Sequence, residues 1–125
     1  MNWYKISQTS NDPQLAKLVE QLKSTYPGLM LSVWNSNNGW IELNEIKVPK
    51  EMRNQGIGSL VIKKIQEYAK SVGKPIRLTP SPEPGKKGAL QRFYRNVGFI
   101  PNKGRNIDYQ LSSPLSPTWY WKPKK

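Results

Sequence analysis

Two glycines, Gly56 and Gly58, stand where a run of apolar residues at helical spacing begins: Val61, Ile65, Tyr68, Ala69 and Val72. Lacking Cβ atoms, they let the backbone come close to a bulky anion. The unpaired N–H groups of a helix's first turn, together with its dipole, favour phosphate oxygens. Arg53, Asn54, Gln55, Gly56, Ile57, Gly58 and Ser59 thus form a candidate phosphate cradle, with a plain glycine turn as the alternative. Two common cradles are excluded. The dinucleotide fingerprint needs a third glycine where Val61 stands, and the Walker loop needs Gly-Lys followed by Ser or Thr.

The cradle must be held by the elements on either side. From Trp40 to Val48 the residues alternate as in a half-buried strand, but the apolar parity slips between Ile41 and Leu43 on one side and Ile46 and Val48 on the other. An extra residue near Asn44 and Glu45, a β-bulge, repairs the phase and leaves backbone N–H groups free to meet a ligand. Pro49 ends the strand because it has no N–H to donate, and Gly73 supplies the stop for the helix. A second constellation lies downstream at Phe93-Tyr94-Arg95-Asn96-Val97-Gly98-Phe99.

Arg53, Gly56 and Gly58 match the pyrophosphate-loop pattern of the GNAT superfamily of acetyl-CoA-dependent N-acetyltransferases. The downstream stretch is similar to that family's aromatic pair followed by Gly-Phe. The resemblance covers about residues 29–111. It implies an α/β (α+β) fold: a mixed, twisted sheet with a bulged central strand splayed from its parallel neighbour, Ile76 to Thr79, and helices on both faces. It also implies acetyl-CoA as cosubstrate, with transfer of its acetyl group to a primary amine by direct attack in a ternary complex.

Such a transfer needs a neutral amine, a stabilised oxyanion and a proton for the departing thiolate. Backbone N–H groups released by the bulge, that of Ile46 above all, would meet the thioester carbonyl, with Lys47, Val48 and neighbours holding the pantetheine. The resemblance assigns the general acid to Tyr94, since a phenol titrating at about 10 suits a thiolate leaving group; packing beside Phe93 is the alternative. It assigns the general base to Glu42, eleven positions before Arg53. Parity places Glu42 opposite Ile41 and Leu43, where an acceptor could approach directly or through water. Glu45 competes for that role, and an exposed charge on a sheet face is the alternative for both. Many family members have an asparagine near the position of Lys87 that bonds the pantetheine; here there is none.

Composition narrows the chemistry further. The 125 residues contain neither cysteine nor histidine, which removes thiol nucleophiles, disulfides, the commonest general base and the commonest metal ligands, so no metal is expected. Net charge is +12, and beyond Glu83 the only acid is Asp108. This cationic surface attracts the phosphates of CoA or a polyanionic partner. It disfavours cationic acceptors such as polyamines and leaves a protein amine or an aminoacyl-tRNA. The rival reading is a GNAT-fold protein without catalysis that uses its basic surface to bind nucleic acid or a protein. With no apolar run of membrane-spanning length and no signal-peptide pattern, a cytoplasmic protein without membrane contact is expected, as monomer or homodimer.

In chain order, one domain is expected over residues 1–125, in three parts. Residues 1–28 hold a short strand from Trp3 to Ile6 and a helix capped by Asn11 or Asp12 with Pro13 just inside, on the acceptor side. Residues 29–111 hold the acetyl-CoA core: a hairpin from Leu29 to Val48 with Trp34 and Trp40 packed across its loop in preference to stacking on a ligand, the central helix, and a Pro- and Gly-rich linker over 80–88 that is either a lid over the cofactor or an ordinary loop. Lys86 and Lys87 in that linker are within reach of CoA phosphates. A helix from Ala89 to Asn96 and a closing strand from Ile107 to Leu111 complete the core. Residues 112–125 form a basic, Pro-rich tail whose Trp119, Tyr120 and Trp121 cover a sheet edge, make a dimer contact or stack on nucleobases, with core or edge cover preferred.

Overall fold

A computed structural model describes residues 12–36, 38–53, 55–80, 85–113 and 116–123. The expected strand from Trp3 to Ile6, the alternative cap Asn11, the cradle residue Asn54, and residues 81–84 of the linker lie outside the described residues. Helix α1, Pro13–Thr25, begins as its signals predict: the Asp12 carboxylate accepts from the Gln14 N–H at 2.9 Å, and Pro13 occupies the first turn. Strands β1, Met30–Asn35, and β2, Ile41–Lys47, pair antiparallel. Helix α2, Ile57–Val72, runs from Gly56 to Gly73, both in the left-handed region at φ 75° and 69°. Strand β3, Ile76–Leu78, helix α3, Lys87–Asn96, and strands β4, Ile100–Pro101, and β5, Trp119–Trp121, complete the chain.

The sheet order is β1-β2-β3-β5-β4. Strand β2 is parallel to β3, while β5 is antiparallel to both β3 and β4. The strands β2, β3 and β4 therefore run the same way, and each crossover steps in the same direction across the sheet. Right-handed connections then put α2 and α3 on one face. The hydrogen bond from Tyr68 to Asp12 ties α1 to α2. Leu15 and Leu22 of α1, Val61, Ile62 and Ile65 of α2, and Tyr94 of α3 accordingly join Ile41, Leu43, Ile76 and Leu78 in one buried cluster. Among the described residues the helices cover one face, where the expectation had both.

The opposite face carries Glu42, Arg77 and Tyr120 in register. Glu42 Oε1 accepts from Arg77 Nε at 2.9 Å and from Trp40 Nε1 at 3.0 Å, and the Arg77 guanidinium lies 4.6 Å from the centre of the Trp40 ring. Trp40 thus has Arg77 as its stacking partner, in a cation–π contact beside the hairpin loop. Trp34 faces Glu42 across the ladder, so the two tryptophans are not ladder partners.

Two other expectations are corrected. Residues 107–111 are not a strand: Tyr109–Leu111 is a 3-10 turn, preceded by another at Gly104–Asn106. The Asn102 side chain takes both backbone groups of Asp108, accepting from its N–H at 2.6 Å and donating to its carbonyl at 2.9 Å, so no partner strand is needed there. The closing strand is instead the aromatic tail, which enters the sheet between β3 and β4 with Trp119 and Tyr120 buried. Helix α3 also starts at Lys87, ahead of the expected Ala89, because Gly88 falls in a first turn whose N–H groups are outside the ladder in any case.

Asn35 Nδ2 donates to the Tyr68 hydroxyl at 2.8 Å, extending the link between Tyr68 and Asp12. Burial, and then the bond to Asp12, push the Tyr68 phenol up to about 12. Its proton is thus held more tightly in the folded chain than in the unfolded one, where the phenol titrates at about 10. The resulting stability is complete below the unfolded value and lost as pH rises through the folded one. Urea midpoints taken across this window should fall more steeply for the parent than for Tyr68→Phe; equal slopes would show that Tyr68 is not linked to folding.

Candidate active site

A cavity of about 1220 Å³ opens between the end of β2, the glycine turn, the C-terminal end of β3 and α3. Its walls follow from local structure. In the β1–β2 ladder Ser32 faces Glu45 and Val33 faces Leu43, so the register slips by one residue at Asn44. The parallel ladder between β2 and β3 runs from Ile41 to Leu43, and β2 continues beyond it to Lys47. Residues Asn44 to Val48 all line the cavity on and just after that continuing stretch.

The glycine turn forms another wall. The first ladder bond of α2 runs from the Leu60 N–H to the Gly56 carbonyl at 3.0 Å, so the amides of Ile57, Gly58 and Ser59 precede the ladder, and all three residues line the cavity. A Cβ on Gly56 would meet no atom within 4 Å, whereas one on Gly58 would stand 3.2 Å from the Phe93 ring. Gly56 therefore serves its left-handed backbone, and Gly58 serves close approach. Arg53 fixes the turn to the strand by donating from Nε to the Val48 carbonyl at 3.0 Å.

Tyr94 lines the cavity from α3. Its ring packs against Phe93, Phe99 and Trp119 at centroid distances of 5.4, 6.0 and 6.3 Å, and burial raises its phenol above the ordinary value. Glu45 lines the same space, with Lys47, Arg53 and Lys86 as the charged groups of opposite sign.

Of the residues singled out in the sequence, Ile46, Lys47, Val48, Arg53, Gly56, Ile57, Gly58, Ser59 and Tyr94 meet at this cavity. Gln55 is not among its lining residues; its side-chain amide lies 3.4 Å from the Glu51 carbonyl. Glu42 is absent from the lining as well, because it belongs to the sheet face opposite α2 and is held by Arg77 and Trp40. Lys86 lines the cavity and Lys87 does not. Sequence reasoning missed Thr79, Pro80, Leu90 and Ser116. Thr79 and Pro80 follow the C-terminal end of a parallel strand, a position that marks binding crevices in open sheets; Ser116 carries no such signal.

The arrangement fits a long ligand with anionic phosphates. It offers helix amides outside the ladder, a glycine at the point of closest approach, three cations, and a strand edge that runs on past its partner. No helix among the described residues is long and apolar enough to cross a membrane.

Comparison with solved structures gives the same fold. A GNAT-family acetyltransferase from Staphylococcus aureus Mu50 superposes with a TM-score of 0.59 at 23% identity, over 77% of this chain and 60% of that one, so the present chain spans about three fifths of its length. The anti-CRISPR protein AcrVA5 gives 0.57 at 22% identity, over 76% of this chain and 90% of that one. A GNAT-family acetyltransferase from Elizabethkingia anophelis, solved with acetyl-CoA bound, gives 0.54 at 13% identity, over 98% of this chain and 91% of that one. No curated protein matches the sequence at a significant level. The sequence profile of the acetyltransferase (GNAT) family matches residues 25–99, well over half of the chain, and the protein belongs to that family.

Proposed function

We propose that the cavity binds acetyl-CoA and that the protein transfers the acetyl group to a primary amine. The observation that carries this reading is the meeting of the β2 edge, the glycine turn and Tyr94 at one cavity. Acetyl-CoA supplies an activated acyl group as a thioester. The amides of Ile57, Gly58 and Ser59, with Arg53 and Lys86, hold its phosphates, and the register slip at Asn44 acts as a bulge that frees the amides of Ile46 and Val48 for the acyl arm. The amine nitrogen bonds to the carbonyl carbon as the carbon–sulfur bond breaks, and Tyr94 gives its phenolic proton to the thiolate. The proton leaving the amine passes to Glu45 or to water. Glu42, expected as the base, is engaged on the other face, so Glu45 is the carboxylate we assign to this role.

The acceptor is an amine on a neutral or acidic carrier, a protein or an aminoacyl-tRNA, because among the described residues three of the four charged groups lining the cavity are cationic.

Calorimetric titration of acetyl-CoA into the parent and Gly56→Glu tests the cradle. The variant places a carboxylate and a strained left-handed residue at the turn, at a backbone cost of about 1–2 kcal/mol, and should lose binding altogether. A parent that takes up no acetyl-CoA would overturn the proposal. The two carboxylates are separated by Glu45→Gln and Glu42→Gln. The first should lower turnover by about a hundredfold or more at unchanged stability. The second should leave turnover near the parent's and lower stability by about 1–3 kcal/mol by weakening the partner of a half-buried Arg77. A reversed pattern would return the base role to Glu42.

A further inference from the structure

We infer that the loop from Lys103 to Gln110 is a binding site for single-stranded polynucleotide. This site is separate from the acyl cavity and does not rest on the acetyl-transfer reading. No residue of the loop lines that cavity, so attraction for CoA phosphates does not account for its charge. Between residues 85 and 123 seven Lys and Arg side chains accompany one acid, Asp108. That acid is neutralised: its carboxylate lies 2.7 Å from Lys122 Nζ and accepts from the Gln110 N–H at 3.0 Å. Lys103 and Arg105 are exposed, and neither pairs with a described acid.

The same loop carries two exposed apolar side chains, Ile107 at 42% and Tyr109 at 79%. The Tyr109 ring is the most exposed large apolar group among the described residues. Its loop is also held in place. Asn102 grips Asp108 through both backbone groups, Tyr120 donates its hydroxyl to the Asn106 carbonyl at 2.5 Å, and Ser112 donates to the Tyr109 carbonyl at 2.9 Å. A loop fixed in this way loses little entropy when a partner docks. Cations and an exposed ring on one loop match a backbone of phosphates that carries unstacked bases; an acidic peptide would use the charge and leave the ring idle. Duplex nucleic acid, whose bases are already stacked, offers the ring nothing comparable. The tail aromatics Trp119 and Tyr120 cannot serve this role, since they are buried.

The test is fluorescence anisotropy of a labelled oligothymidylate with the full chain, repeated over a series of salt concentrations. Tyr109→Ala should bind roughly 5- to 150-fold more weakly, the range for losing one stacked base, and Tyr109→Trp should retain the parent's affinity. The double variant Lys103→Glu, Arg105→Glu should weaken binding and flatten the logarithmic salt slope by about 1.4, two phosphate contacts at roughly 0.7 each. All of these positions are exposed, so thermal unfolding should match the parent's. The inference is overturned if the parent leaves the oligonucleotide free at low salt, or if Tyr109→Ala binds like the parent. A poly-glutamate peptide that competes as well as unlabelled oligothymidylate would also overturn it, in favour of an acidic protein partner.

Discussion

Trp119→Ala should cost about 3–5 kcal/mol, a large share of the stability of a domain this size. The residue lies in the Pro-rich C-terminal stretch, yet it is 5% exposed. It pairs in register with Leu78 on one side and Pro101 on the other. Its ring packs against Tyr94, and the Arg95 guanidinium lies 5.3 Å from its centre. Removing the indole opens a cavity at the junction of β3, β4 and α3, where main-chain pairing leaves little freedom to collapse. Truncation after Leu111 should be worse still, since β3 and β4 would both lose the strand between them. Urea denaturation of Trp119→Ala, with Trp34→Ala as a half-buried control from outside the core cluster, reads the difference. A Trp119 variant no less stable than the control would mean that the tail does not complete the sheet.

The second large effect concerns chemistry. Tyr94→Phe should reduce turnover by about 10²- to 10⁴-fold, the usual contribution of a positioned acid, while acetyl-CoA binding persists. The ring's contacts with Phe93, Phe99 and Trp119 survive the change, so a loss of rate would report the hydroxyl alone. Burial holds the Tyr94 phenol above its ordinary value. The acid form therefore persists to higher pH than that of an ordinary phenol, and the parent's turnover should rise as the acceptor amine deprotonates, with no fall before the ordinary phenol range is reached. Under the proposed mechanism the variant's thiolate would take its proton from water. Full activity of Tyr94→Phe would show that this tyrosine serves packing only.

What the sequence determined by itself was local. Asp12 and Pro13 start α1, and Gly56 and Gly73 bound α2, because cap chemistry and left-handed backbone depend on one or two residues. The broken apolar parity around Asn44 marks the register slip, since side-chain direction alternates strictly along a strand. The glycine turn and Tyr94 are legible as motifs, and both line the same cavity.

The tertiary structure decided whatever depends on residues distant in the chain. Glu42 and Glu45 are both carboxylates of one strand; Glu45 lines the cavity, while Arg77 and Trp40 hold Glu42 on the face opposite α2, and both placements depend on contacts across the sheet. Parity indicates that Glu42 faces away from Ile41 and Leu43; it cannot say which face borders the cavity. The tail reads as an appendage because prolines and serines surround its aromatics, and a three-residue strand has too little period to detect. Its place between β3 and β4 rests on antiparallel pairing with two earlier strands, which no local pattern in the tail encodes. Residues 107–111 alternate well enough for a strand, but the Asn102 amide satisfies Asp108 first, and a side chain that supplies both backbone partners removes the need for a sheet.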